Sequence, residues 1–120
     1  MEKRFFHRVD IAANGELQWA TKSRVGRVRA HREHVRTINV SIDGAKILVP
    51  GKHRFPTGAR GRLTLGIESC DVEIRHADVV DGDTIVRLHF LAPSQRFVAV
   101  LEKWMPISTR GRNDFLSAWM

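Results

Sequence analysis

The sequence predicts an all-β fold, a small antiparallel six-stranded β-barrel with a C-terminal α-helix packed against it. Apolar residues alternate with polar ones along much of residues 9–92, which is the period of half-buried strands. The period then changes to that of one helix face over residues 94–105. Several short strands followed by a single helix favour a closed barrel that the helix covers on one side.

The composition is that of an ordinary soluble domain. The 120 residues suffice for one domain, and 42% are apolar and 28% charged. The only cysteine is Cys70, so no internal disulfide can form and a reducing compartment is expected. No apolar run approaches the ~18 residues of a membrane span, and the N-terminus has no apolar signal segment. We therefore expect a cytoplasmic protein without a membrane span.

The first alternation runs from Val9 to Trp19 and predicts one long strand. Asn14-Gly15 also has the composition of a hairpin turn. A two-residue turn there would mix core and solvent residues on each face, so a bend or bulge at Gly15 within one strand is preferred.

A second alternation places Ile38, Val40 and Ile42 in the core. Asn39 and Ser41 then project from the opposite face, on the outside of the barrel. Turns are predicted at Asp43-Gly44 and Asp81-Gly82. Further strands are predicted around these apolar positions: Ala45, Ile47 and Val49; Leu63, Leu65 and Ile67; Val72 and Ile74; Val86, Leu88 and Phe90.

The predicted helix has an apolar face and recognisable ends. The face consists of Phe97, Val98, Leu101 and Trp104. Ser94 is a suitable N-cap, and Pro106 a suitable stop.

Positive charge is concentrated in the first half of the chain. Residues 1–62 hold 14 Lys and Arg against 5 Asp and Glu, a net +9, whereas residues 63–120 hold 6 against 8, a net −2. The stretch 22–36 is strongly basic, and we interpret it as an exposed strand or loop. Such an uneven distribution predicts an anionic partner.

Two short motifs stand out. The first is Arg4-Phe5-Phe6-His7-Arg8, at the start of the first strand, and the second is Asn39-Val40-Ser41-Ile42-Asp43-Gly44, a strand end that leads into a glycine turn. Together they resemble the RxxxR and [D/N]xSxxG motifs of PilZ domains, which are bacterial receptors for cyclic di-GMP. The resemblance covers most of the chain, from Arg4 to the helix near Trp104.

The resemblance implies a cyclic di-GMP receptor without enzymatic activity and without a cofactor. The ligand-binding residues that it implies are Arg4, Arg8, Asn39, Ser41 and Gly44, with Lys3 and Asp43 as additional candidates. It also implies that residues 1–8 form a flexible arm that ligand binding orders, and that a downstream protein partner reads the altered surface. The expected organisation is a single domain, with the arm followed by a barrel over 9–92, a helix over 94–105 and a tail over 106–120.

These residue types suit the ligand. The planar guanidinium of arginine can bridge phosphate oxygens or the O6/N7 edge of guanine. An asparagine offers both a donor and an acceptor to a guanine edge. Gly44 permits a positive φ or a close approach of ligand to the backbone.

Two other functions fit part of the pattern. A small basic barrel could bind single-stranded nucleic acid, although no series of exposed aromatic residues follows a strand, and we regard this partner as less favoured. A PilZ-like scaffold could instead bind only proteins. No metal site is expected, because the six histidines are scattered and Cys70 has no second cysteine to act with. Cys70 is interpreted as a small strand or turn residue rather than a nucleophile.

Overall fold

The computed structural model describes the backbone of residues 9 and 10 and all of residues 12–104. They form seven strands and one helix, with these bounds: β1 Val9–Asp10, β2 Asn14–Lys22, β3 Val28–Val40, β4 Gly44–Val49, β5 Arg60–Leu65, β6 Glu68–Val80, β7 Asp83–Leu91 and α1 Gln95–Trp104.

Strands β2 to β7 form a closed, six-stranded antiparallel barrel. Its spatial order is β2-β3-β4-β7-β6-β5, and β5 pairs with β2 to close it. The short β1 pairs with the end of β3, on the edge that β2 also uses. The predicted fold class, a six-stranded barrel with a C-terminal helix, is confirmed.

The predicted long strand from residue 9 to residue 19 is interrupted rather than bent at Gly15. β1 and β2 follow the same edge of β3, and the break lies between Asp10 and Asn14. At the break, Ala13 N donates to Thr37 Oγ1 and Thr37 N donates to Ala13 O, each over 2.8 Å. These two hydrogen bonds keep the chain attached to β3 across the interruption.

Gly15 lies in regular pairing between Val35 of β3 and Leu65 of β5. A Cβ at this position would lie 2.7 Å from Leu65 Cδ2 and 2.8 Å from the carbonyl oxygen of Thr64. Glycine is therefore needed here for close packing, and the bend predicted at this residue was wrong.

Ile38 is a bulge residue in β3. Thr37 pairs with Ile47, whereas Asn39 pairs with Lys46, the adjacent residue of β4. Ile38 therefore has no residue opposite it in β4. A bulge of this kind adds one residue to one strand and increases the local twist.

The bulge changes which residues of β3 face the core. Before it, Val35 and Thr37 are buried, and after it Val40 is buried. Ile38 and Ile42 are half-buried, but Ile42 packs against the core and Ile38 does not, so the expected alternation of Ile38, Val40 and Ile42 into the core was wrong at Ile38.

The other core predictions mostly held. The buried residues among them are Ala45, Ile47, Val49, Leu63, Leu65, Val72, Ile74, Val86, Leu88 and Phe90. Ile67 is an exception, because it lies in the turn between β5 and β6 and is 92% exposed. The turn at Asp81-Gly82 is confirmed, with φ of 52° and 85° at its two residues, as a tight hairpin turn requires.

The basic stretch 22–36 forms the end of β2, a turn and the first part of β3. β4 pairs with β3 only from Arg36 onward. The hairpin of β2 and β3 therefore extends beyond the body of the barrel, with Val28 and Lys22 paired near its tip.

The helix packs its apolar face against the barrel core. Ser94 caps its first turn, because Ser94 Oγ accepts from Phe97 N over 3.1 Å. Phe97 and Leu101 are completely buried. The rings of Phe97 and Phe90 meet edge to face, with their centroids 5.1 Å apart. Trp104 is half-buried, and the predicted stop at Pro106 lies outside the described residues. Within the described part of the chain, no helix is long and apolar enough to cross a membrane.

Candidate ligand site

The pairing of β1 with β3 brings the two residues that follow the first motif beside the second motif. Val9 lies opposite Val40, and Asp10 lies opposite Asn39, the first residue of the second motif. Arg8, the last residue of the first motif, directly precedes Val9 in the sequence. Arg4, Arg8 and Lys3 themselves lie outside the described residues.

The second motif closes a tight turn between β3 and β4. Ser41 N donates to the carbonyl oxygen of Gly44 over 2.9 Å. The carbonyl oxygen of Asp43 accepts from Phe90 N over 2.9 Å, which ties the turn to β7. The turn is therefore fixed both within itself and to the neighbouring strand.

Ser41 is buried inside this turn, with none of its surface exposed. Its hydroxyl lies 3.3 Å from the carbonyl oxygen of Gly44 and also donates to the Asp43 carboxylate. The expectation that Ser41 projects beside Asn39 on the outer face was wrong, because β3 ends at Val40 and the chain turns there. The hydroxyl of Ser41 holds the exposed Asp43 in place.

Gly44 is required by packing against β7. A Cβ at this position would lie 2.3 Å from the carbonyl oxygen of Leu88. Its φ is not positive, in contrast to that of five other glycines. The structure thus gives Gly44 a close approach to the backbone of a neighbouring strand, which was not predicted, and the close approach of a ligand stays a prediction.

A row of polar residues crosses the outside of the barrel from Asn39. The half-buried Asn39 pairs with Lys46 of β4, Lys46 pairs with Arg87 of β7, and Arg87 pairs with His76 of β6. Directly paired residues of neighbouring strands have their side chains on the same face. The second motif therefore adjoins a basic row of Lys46, Arg87 and His76 that runs across three strands, β4, β7 and β6.

This row borders a shallow depression with a volume of about 470 Å³. Its lining residues are Lys46, Arg75, His76, Asp78, Ile85 and Arg87. Arg75 Nε is 2.8 Å from Glu73 Oε1, and His76 Nε2 is 2.7 Å from Asp78 Oδ2.

Lys46 and Arg87 have no ion pair with any of the described residues. These two cations are consequently available for an anionic ligand. Their charges can act together, since the residues are directly opposite each other in the sheet.

Sequence reasoning missed the basic row. Lys46 stands between the buried Ala45 and Ile47, so its outward direction could have been inferred from alternation. The position of Lys46 beside Asn39 and Arg87 could not have been inferred, because it depends on the order of strands and on the bulge at Ile38.

The structure offers no support for chemistry at Cys70. The side chain is buried in β6, and burial raises the pKa of its thiol above the ordinary value. A raised pKa reduces the fraction of reactive thiolate. Among the residues that the structure describes, no three His, Cys, Asp or Glu side chains group closely enough to hold a metal ion.

Comparison with known proteins identifies the fold. No protein-family model matches the sequence, and no curated protein matches it significantly. Two solved structures from Escherichia coli are similar to it. The PilZ domain of YcgR with c-di-GMP has a TM-score of 0.53 at 16% identity, over 99% of this chain and 100% of that one. YcgR in complex with c-di-GMP has a TM-score of 0.52 at 18% identity, over 96% of this chain.

The chain has a PilZ-like fold. It spans about half of the YcgR chain in the second structure, 51% of its length, and the whole of the isolated PilZ domain. At these identities the similarity concerns the fold.

Proposed function

We propose that this chain is a receptor for cyclic di-GMP. One observation carries the proposal: the register of β1 against β3 places Val9, the residue after the RxxxR motif, opposite Val40 in the second motif. Two motifs that are about 30 residues apart in sequence would then contribute to one site. Both structural neighbours were solved with c-di-GMP, which supports the same ligand here.

The charges around the second motif suit this ligand. Cyclic di-GMP carries two phosphates, and the depression beside Asn39 has two cations, Lys46 and Arg87, without an ion pair among the described residues. In this proposal Arg4 and Arg8 bind phosphate or guanine from the arm, and Asn39 binds a guanine edge. Ser41 and Gly44 contribute by holding the turn that positions Asn39 and Asp43.

We further propose that the ligand orders residues 1–8 against the barrel and that a protein partner reads the change. Two arginines that converge on bound phosphates form contacts that exist only in the complex, so binding shifts the arm toward one position. Hydrogen exchange of the free and bound protein tests this step. Protection of the amides of residues 3–8 should rise with ligand, and unchanged protection would rule out ordering of the arm.

Isothermal titration calorimetry tests the function itself. Wild-type protein is titrated with cyclic di-GMP, cyclic di-AMP and a single-stranded oligonucleotide, at low and high salt. We expect cyclic di-GMP to bind at micromolar or lower Kd and the oligonucleotide to bind weakly and only at low salt. Absence of cyclic di-GMP binding would refute the proposal, and tight oligonucleotide binding would favour a nucleic-acid-binding barrel.

The arginine motif is tested in the same experiment. Arg8→Ala should weaken cyclic di-GMP binding roughly 10- to 150-fold, the range for loss of a charge-assisted hydrogen bond. Arg96→Ala removes an exposed arginine from α1 and is the matched control, with an expected Kd equal to that of the wild type. Circular dichroism should show that both variants remain folded. An unchanged Kd for Arg8→Ala would exclude the arm from the site.

A further inference from the structure

Two hairpins extend from the same end of the barrel. Val49, the last residue of β4, pairs with Thr84 at the start of β7, close to the turn at Asp81-Gly82. At the same level, Leu48 pairs with Arg36, beyond which β3 continues away from the barrel to Val28. We call residues 20–30 the basic hairpin and residues 77–84 the acidic hairpin.

The basic hairpin combines unpaired cations with exposed valines. Its cations are Lys22, Arg24, Arg27 and Arg29. All four are exposed, and none has an ion pair with another described residue. Val25 and Val28 beside them are 82% and 70% exposed. The sequence has no acidic residue between Glu16 and Glu33 to neutralise this charge.

The acidic hairpin has the opposite charge and the same apolar character. Its carboxylates are Asp78, Asp81 and Asp83. Between them lie Val79 and Val80, which are 52% and 48% exposed.

The exposed apolar side chains are concentrated on these two hairpins. Five large apolar residues are exposed in the described part of the chain, and four of them are the valines of the two hairpins. Isolated exposed valines are ordinary, but apolar pairs within a rim of charge mark interaction surfaces.

The two hairpins do not neutralise each other within one molecule. β4 lies between them on one side of the barrel and β5 on the other. No ion pair between described residues joins the basic hairpin to the acidic one. The two hairpins are thus complementary in charge, but they are not paired with each other within one molecule.

We propose that two copies of this chain associate through these hairpins, with the basic hairpin of each copy against the acidic hairpin of the other. A two-fold axis at this end of the barrel makes both contacts at once, as a closed symmetric dimer requires. A groove of about 550 Å³ beside the paired Ala20 and Ala30 provides space for one of the two valines of the second copy's acidic hairpin, since Val79 and Val80 project to opposite faces of β6. Arg32 and Arg62 also line this groove, and each has a carboxylate of its own molecule nearby, Glu16 at 3.5 Å from Arg32 and Asp71 at 2.8 Å from Arg62.

A second copy fits these surfaces better than a nucleic acid does. A polyanion would neutralise the basic hairpin but would leave the acidic hairpin, with Val79 and Val80, exposed. A partner with both an acidic and a basic apolar surface covers all four valines.

Dimerisation is tested separately from ligand binding. The turn from Ser41 to Gly44 lies at the end of the barrel opposite to the hairpins, since β4 runs from Gly44 to Val49, whereas Asp78 of the acidic hairpin also lines the depression that holds Lys46 and Arg87. The assembly is measured without any nucleotide, so absence of a dimer would not count against the proposed cyclic di-GMP site.

Sedimentation velocity of the full chain over a range of concentrations tests the proposal. We expect a dimer at low salt that weakens at high salt, because exposed charges are screened. Arg29→Glu and Asp78→Lys should each raise the dimer Kd by about tenfold or more, since each places like charges together twice in the dimer.

A mixture of the two variants is the decisive sample. In the mixed dimer, one contact joins the two substituted hairpins, each of which has one charge reversed. The other contact joins two native hairpins. Association should therefore return to near the wild-type Kd. The double variant Arg29→Glu with Asp78→Lys should form its own dimer for the same reason.

Two variants on α1 serve as controls. Arg96→Glu and Glu102→Lys place the same kinds of charge change at exposed positions and should dimerise like the wild type. A wild type that stays monomeric at low salt would overturn the proposal, as would single variants that dimerise normally or a mixture that fails to associate. If the wild type is monomeric and Arg29→Glu abolishes its binding of an oligonucleotide, the basic hairpin would instead be a nucleic-acid-binding surface.

Discussion

Gly44 of β4 and Leu88 of β7 are in direct backbone contact at the start of the candidate site. A Cβ at position 44 would lie 2.3 Å from the carbonyl oxygen of Leu88, which is well inside van der Waals contact. Leu88 pairs with β4 on one side and with β6 on the other, so its carbonyl oxygen cannot move away freely. The glycine of the second motif is thus a requirement of the barrel itself.

Gly44→Ala should therefore destabilise the fold. We expect a loss of about 1–3 kcal/mol, the usual cost of overpacking a close contact. Urea unfolding followed by circular dichroism measures it. Gly82→Asn is the control, because no atom lies within 4 Å of a Cβ there and asparagine tolerates the left-handed backbone of the turn. If Gly44→Ala were as stable as the wild type, β4 and β7 would have to be farther apart than described.

The basic row predicts a further loss of ligand affinity. Lys46→Ala and Arg87→Ala should each weaken cyclic di-GMP binding by about tenfold or more, because each removes a cation with no ion pair among the described residues. Calorimetry at low and high salt measures the effect, and Arg96→Ala is again the control. Equal affinity for wild type and both variants would place the ligand elsewhere on the barrel.

Removal of the helix contacts should reduce stability without affecting ligand affinity. Phe97→Ala should cost about 3–5 kcal/mol, because the ring is fully buried against Phe90. Leu101→Ala should cost about 2–5 kcal/mol. Trp104→Ala should cost less than either, since Trp104 is only half-buried. Thermal unfolding of the three variants tests this order, and a larger loss for Trp104→Ala would contradict the packing.

The buried Cys70 thiol should react slowly with alkylating reagents, and the folded chain should lose stability at alkaline pH. Burial raises the pKa of the thiol in the folded chain, so the unfolded chain loses its proton first as the pH rises. The stabilising contribution is complete below the pKa of the unfolded thiol and declines as the pH rises toward the folded pKa.

Alkylation with iodoacetamide should be slow at neutral pH and become fast only on unfolding. A Cys70→Ala variant should show a smaller loss of stability between neutral and alkaline pH than the wild type. Rapid alkylation of the folded protein would indicate that the thiol is accessible.

Sequence periodicity predicted the barrel because most strands have one buried and one exposed face. Val86, Leu88 and Phe90 alternate with outward residues, so their direction follows from the chain alone. Asp81-Gly82 has the composition that a two-residue turn requires, and Ser94 the side chain that a helix N-cap requires. These features depend only on neighbouring residues.

The details around the candidate site depended on contacts between distant residues. Ile38 is as suitable for a strand as Val40, so nothing in the local sequence indicates that Ile38 is the additional residue of a bulge. The burial of Ser41 follows from the end of β3 and the turn back to Gly44, which alternation cannot reveal. Lys46 and Arg87 come together only through strand pairing.

The turn between β5 and β6 offers a place to attach a reporter. Ile67 is 92% exposed, and a Cβ at Gly66 would meet no atom within 4 Å. Leu65 and Glu68 pair directly on either side, so the two strands stay joined when the residues between them change. Exposed turn tips of this kind tolerate inserted domains. A fluorescent protein inserted between Gly66 and Ile67 should leave the barrel closed, which would allow the binding state of the protein to be followed by light inside a living cell.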